Sequence, residues 1–182
     1  KESYLADLQN DKLLIGSLLE RWRENTEDPK FDRFKDAINP ELFNPEINNP
    51  SGVNKPRLVI FTEAIDTLKS LERALKAKGH KVLSISAGNR TERQEEIEAN
   101  FDANCKPDKR RDDYDVIVTT EVLAEGVNLH RSNVILNYDA PWNATRLMQR
   151  IGRVNRIGST ENFVHVFNFF PSDEGNSQIR LI

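Results

Sequence analysis

Arg57-Leu58-Val59-Ile60-Phe61-Thr62 carries an unbroken apolar run. Such a run, too short for a helix and without polar alternation, is expected of a strand buried on both faces. Comparable runs follow at Lys81–Ser86, Asp115–Thr120, Asn133–Tyr138 and Asn162–Phe170. Helical stretches separate several of them. After Thr62, which could cap the next helix, Ile65, Leu68, Leu71 and Leu75 form a stripe, and Gly79 supplies a stop. Asn89 with Glu92 has the spacing of a capping box for a polar helix reaching Phe101. Asn143 is placed to cap a helix running to about Arg156. Strands alternating with helices predict an α/β fold: a parallel sheet with helices on both faces. Ligands of such sheets meet the loops at the carboxyl ends of the strands.

Upstream the character changes. Residues 1–50 are expected to form a helical N-terminal segment and linker, and 51–182 the α/β domain. Leu13, Leu14, Leu18, Leu19 and Trp22 read as one side of a first helix, and Asp28-Pro29 as the cap and first position of a second. Four prolines and five asparagines between Asn39 and Pro56 mark a loop.

Composition narrows the chemistry. The chain has 182 residues, 30% charged, and a net charge of −3, which excludes a simple basic nucleic-acid binder but permits a local basic face. A single cysteine, Cys105, allows no internal disulfide and suits a reducing interior; a cytoplasmic setting (nucleoid-associated in a bacterium) is the expectation. His80, His130 and His165 lack ligand spacing, so no metal site is expected. No stretch approaches the ~18 apolar residues of a membrane span, and no membrane partner is expected. The opening Lys1-Glu2-Ser3-Tyr4 has no signal-peptide pattern and is expected of a piece of a longer protein.

The chemistry concentrates in Gln149-Arg150-Ile151-Gly152-Arg153-Val154-Asn155-Arg156-Ile157-Gly158. On a helix, Gln149, Arg153 and Arg156 fall within about 60° of one another. Leu147, Ile151 and Val154 take the opposite side, and Gly152 leaves a gap beside the arginines. Two guanidiniums with room between them suit an anion of several oxygens, such as a triphosphate. A cation aimed at a phosphoryl transition state can accelerate transfer by ~10³–10⁵. A solvated surface helix is the plain alternative for the same spacing. Trp142, between a proline and the helix cap, reads as a packing anchor.

The string Q-x-x-G-R-x-x-R-I-G resembles motif VI of superfamily 2 helicases, especially Swi/Snf-type translocases. Asp115–Thr120 followed by Gly126-Val127-Asn128-Leu129 resembles motif V. Asn133–Asp139 with Pro141-Trp142-Asn143 resembles the strand and link of that subgroup. Leu58–Thr62 resembles motif IV, and Ser86, Gly88 and the helix ending at Phe101 resemble the block after it. The resemblance implies a RecA-like second motor lobe that faces a nucleotide-loaded first lobe. It implies that Arg153 and Arg156 reach the γ-phosphate of ATP, with Gln149 and Gly152 beside them and Gly126 and Asn128 near the nucleotide. It also implies that Thr62, Gly88, Thr119 and Thr120 line a nucleic-acid backbone, DNA favoured over RNA, and that ATP and Mg²⁺ are held mainly by the first lobe. Glu125 and Asn128 depart from the DEAD-box pattern, and Ser159 from the Swi/Snf one. No G-x-x-x-x-G-K-[ST] occurs, so the chain alone is expected not to hydrolyse ATP. The competing expectation is a non-catalytic nucleic-acid or protein docking module of the same fold.

Overall fold

The computed structural model describes residues 2–25, 27–159 and 161–170. The tail 171–182, assigned above to the α/β domain, lies outside the described residues. Two compact units divide the chain, Lys1–Arg33 and Phe34–Ile182.

The first unit holds α1 (Glu2–Glu24) and the start of α2 (Pro29–Ala37). The Phe31 N–H donates to Asp28 Oδ1 at 2.9 Å, so the expected cap forms. Leu13, Leu14, Leu18, Leu19 and Trp22 are all exposed. The expectation of one shared side needs correcting, because about 100° per residue carries Leu13 well away from Leu19 and Trp22.

In the second unit five parallel strands form one sheet in the order β2-β3-β1-β4-β5. These are β1 (Leu58–Phe61), β2 (Val82–Ile85), β3 (Val116–Thr119), β4 (Val134–Asn137) and β5 (His165–Asn168). Leu58 lies level with Val116 and Val134, and Phe61 with Thr119 and Asn137. Every residue of β1, β3 and β4 is buried, as the continuous apolar runs require. Helices α3 (Ile65–Ala77), α4 (Gln94–Phe101) and α5 (Ala144–Val154) complete the α/β layers. Val59, Phe61, Leu83, Ile97, Phe101, Ile117 and Val154 belong to one core cluster. This is the expected RecA-like sheet with a helical segment before it.

Local chemistry sets the helix ends, not always as expected. Gly79 at φ +92° lets the His80 N–H reach the Leu75 carbonyl, closing α3. Thr62 does not cap α3: that helix begins at Ile65, and the Thr62 hydroxyl donates to Asp139 Oδ2 at 2.6 Å. Asn89 does not cap α4, which begins at Gln94. Its side chain instead accepts from the Ser86 N–H and donates to the Ser84 carbonyl, fixing the turn after β2. Asn143 does cap α5, accepting from the Thr145 N–H at 2.8 Å.

The asparagine-rich stretch, expected as a loop from Asn39, begins inside a π-helical turn, Ile38–Leu42, and beyond it is irregular but anchored. Asn48 donates to the Leu42 carbonyl and accepts from the Arg57 N–H. The Asn49 N–H donates to Asn133 Oδ1, and Asn133 Nδ2 donates to the Ile47 carbonyl. These bonds tie the segment to the start of β1 and of β4. Nearby, Arg57 and Arg131 both donate to Asp112 Oδ1.

Candidate nucleotide and nucleic-acid contacts

Topology separates the candidate residues into two groups. The connection leaving β1 runs to β2 on one side, and the connection leaving β4 runs to β5 on the other. A crevice is therefore expected between the carboxyl ends of β1 and β4. Asp139 occupies that point, accepting from the Thr62 hydroxyl and from the Glu63 N–H. Thr62 and Thr119 are fully buried. The Thr119 hydroxyl donates to the Thr120 carbonyl. Thr120 is partly exposed and Gly88 exposed. Thr62, Gly88, Thr119 and Thr120 thus share the carboxyl rim of the sheet, with two of the threonine hydroxyls turned inward.

The second group lies on α5, which must run back from the carboxyl end of β4 towards the amino ends of the strands. Successive turns carry Gln149 and Arg153 away from the rim, but the helix expected to reach about Arg156 ends at Val154: Asn155 turns out of it at ψ 90°, and Arg156 stands in the segment that follows. The Leu129 N–H donates to the Arg153 carbonyl at 2.8 Å, pinning the loop after β3 beside the helix end. That loop brings Gly126 and Asn128 close. Gln149 Nε2 lies 3.5 Å from Glu125 Oε1, and Arg153 Nε donates to the Gln149 carbonyl at 3.4 Å. Arg156 Nη1 donates to Asn128 Oδ1, and Asn128 Nδ2 donates to Asp102 Oδ2 at 3.0 Å. Arg153 and Arg156 make no ion pair among the described residues.

Two glycines frame this face differently. Gly126 has φ +74°, a conformation that β-carbon-bearing residues rarely adopt. A Cβ there would also sit 2.7 Å from Arg90 Nη2, which donates to the Glu125 carbonyl. Gly152 is unlike it: an added Cβ would meet nothing within 4 Å outside its own helix. Glycine inside a helix is less stable than alanine by about 1 kcal/mol. Nothing within the described part of the chain offsets that loss at Gly152.

Arg150, which the helical spacing left without a role, is a structural tie. It is fully buried, donating to Glu121 Oε2, to Asn137 Oδ1 at 2.9 Å and to the Asp139 carbonyl at 2.9 Å. Its guanidinium also lies 5.0 Å from the centre of the Phe61 ring. It joins α5 to the rim, because it neighbours the apolar side of the helix and finds Glu121 there. Trp142 corrects the sequence expectation in the other sense. It is 78% exposed and anchors no core.

Beneath the arginine face, His130 is buried with Nδ1 3.7 Å from Asp102 Oδ1. Burial, helped by the Arg156 charge and opposed by Asp102, holds this imidazole below its ordinary pKa. Among the described residues, no group of three or more His, Cys, Asp or Glu side chains could hold a metal ion. No described helix is long and apolar enough to cross a membrane.

Known proteins resemble this chain. The chain is 34% identical over 112 residues to the uncharacterized ATP-dependent helicase YqhH of Bacillus subtilis, covering 62% of this chain and 18% of that protein. It is 30% identical over 111 residues to the ATP-dependent RNA helicase DBP5 of Ajellomyces capsulatus, covering 55% of this chain and 21% of the relative. The chain therefore spans about a fifth of the length of these curated relatives. The crystal structure of the C-terminal part of the Fun30 ATPase domain superposes with a TM-score of 0.62 at 18% identity, covering 96% of this chain and 53% of that one. The family model for the helicase conserved C-terminal domain matches residues 38–158, which take in four of the five strands and every candidate contact at the rim and on α5, and the chain belongs to that family.

Proposed function

We propose that this chain is the second motor lobe of an ATP-dependent superfamily 2 helicase or translocase, closest to the Swi/Snf type. The observation that carries the proposal is the pair Arg153, in the last turn of α5 beside the open space at Gly152, and Arg156, two residues past the helix end, neither with a carboxylate partner among the described residues. Unpaired guanidiniums beside a residue without a side chain suit the oxygens of a triphosphate. The names of the matched relatives, ATP-dependent helicases both, support the same reading.

In this reading a first lobe of the full-length protein holds ATP and Mg²⁺, and closure of the two lobes brings the triphosphate against α5. ATP supplies the phosphoryl group, and Mg²⁺ screens its charge. Arg153 and Arg156 bind the γ-phosphate oxygens as charge moves onto them. Asn128 orients Arg156 through its amide oxygen. Asp102, by accepting from Nδ2, holds that amide in the required sense. Gln149 and Gly126 border the nucleotide, and the close approach at Gly152 gives the glycine its reason. At the rim, the Thr120 hydroxyl and the Gly88 backbone contact nucleic-acid phosphates, beside Thr62 and Thr119, whose hydroxyls are spent on Asp139 and on the Thr120 carbonyl. Such contacts fix register without reading sequence. DNA is the proposed track, residues 51–182 the motor domain behind the 1–50 helical segment, and the cytoplasm the compartment.

The test is Arg153→Ala and Arg156→Ala in the full-length protein. Each is expected to lower nucleic-acid-stimulated ATP turnover by roughly 10³ or more while leaving nucleic-acid binding in place. Unchanged turnover would favour the docking-module alternative. The 182-residue chain alone is expected to show no turnover.

A further inference from the structure

The unexplained feature of the molecule is the exposed apolar surface of α1. Tyr4, Leu8, Asp11, Ile15, Leu18 and Trp22 recur at alternating spacings of four and three, the heptad seam of a coiled coil. The five apolar members are all exposed, as are Leu5, Leu14 and Leu19 on the seam's flanks. A seam of this kind is stable only against another helix.

The charges on α1 select the occupant. We infer that α1 pairs antiparallel with α1 of a second copy of this chain. About a two-fold axis near Leu13, Leu8 then meets Leu18 of the other copy, and Tyr4 meets Trp22. Asp11 meets Ile15 rather than itself and gains Lys12 of the other helix nearby. On the flanks, Asp7 faces Arg21 twice, Leu5 faces Leu19 twice, and Leu14 faces Leu14 across the axis; the one like-charge contact, Lys12 with Lys12 across the axis, is offset by the two Asp11 carboxylates beside it. Parallel pairing fails on the same residues, because it stacks Asp11 on Asp11 inside the seam. Polar seam residues and flanking charges are what decide orientation in coiled coils.

Sedimentation equilibrium of the 182-residue chain tests the inference. A concentration-dependent dimer is expected, and Leu18→Asp is expected to abolish it. Asp7→Arg or Arg21→Asp alone places like charges at two symmetric positions and is expected to weaken the dimer about tenfold. Asp7→Arg combined with Arg21→Asp is expected to restore it. These substitutions lie outside the core of the second unit, so the sheet serves as an internal control for folding. A chain that stays monomeric throughout would overturn the inference. So would a double reversal that fails to recover association, the result parallel pairing or a different partner helix gives.

Discussion

Two pairs of arginines occupy different places in this molecule and show how a neighbouring carboxylate decides what a guanidinium does. Arg57 and Arg131, near the amino ends of β1 and β4, are buried and converge on Asp112. Burial and the Arg131 charge together lower the pKa of Arg57, against the pull of Asp112. Arg153, on α5, and Arg156, just past its end, have no acid partner among the described residues and stay partly or fully accessible. The first pair is committed to holding the chain together. The second is left with unused hydrogen-bonding capacity, which is the physical requirement for meeting an anion on another body.

Removing the shared acid should give the largest stability effect. Asp112→Ala leaves the two guanidiniums with only backbone carbonyls to accept from them and, because the carboxylate is itself half exposed, is expected to destabilise the second unit by about 1–2 kcal/mol in urea unfolding. By contrast, Arg153→Ala and Arg156→Ala should shift stability by no more than about 0.5 kcal/mol. If all three substitutions destabilise alike, the contrast between the pairs is lost. Gly152→Ala sharpens it from the other side. It should raise stability by about 1 kcal/mol, since an alanine methyl meets nothing there, yet reduce ATP turnover in the full-length protein. A stabilised variant with undiminished turnover would mean that no ligand approaches that gap.

The smallest expected effect is in pH. His130 is held below its ordinary value, so as pH falls the unfolded chain takes that proton first. Asp112 behaves alike at lower pH. Burial opposes its ionisation, but the Arg131 hydrogen bond and the Arg57 charge outweigh this and depress its pKa. In both cases the unfolded state binds more protons, so stability falls with acid. The decline should begin near the ordinary histidine value and steepen below the ordinary carboxylate value, ending at the depressed folded values. His130→Gln should flatten only the upper part of a stability-against-pH curve. A curve unaltered there would show that the imidazole does not titrate on unfolding.

Much of this was legible beforehand, for identifiable reasons. The strands were readable because burial on both faces demands apolar residues without alternation, as in Leu58–Phe61 and Val116–Thr119. The α5 face was readable in part: periodicity alone puts Gln149 and Arg153 on one side of the helix, but the helix ends at Val154, short of Arg156. Helix starts were less so. Asn143 capped its helix, whereas Thr62 and Asn89 had the right chemistry for caps and spent it on Asp139 and on the turn after β2. Arg150 was missed because its counter-ion, Glu121, arrives from a loop 29 residues earlier in the chain.

The sequence by itself determined the alternating architecture, the family resemblance and the side of α5 on which Gln149 and Arg153 stand. These depend on periodicity and order, which are properties of neighbours along the chain. Only the tertiary structure decided which arginines are neutralised, that the Thr62 and Thr119 hydroxyls at the rim turn inward, and that Arg156 is held through Asn128 by Asp102. Those outcomes depend on which distant side chain comes within hydrogen-bonding range, and hydrogen bonds act over about 3 Å however far apart the residues lie in sequence.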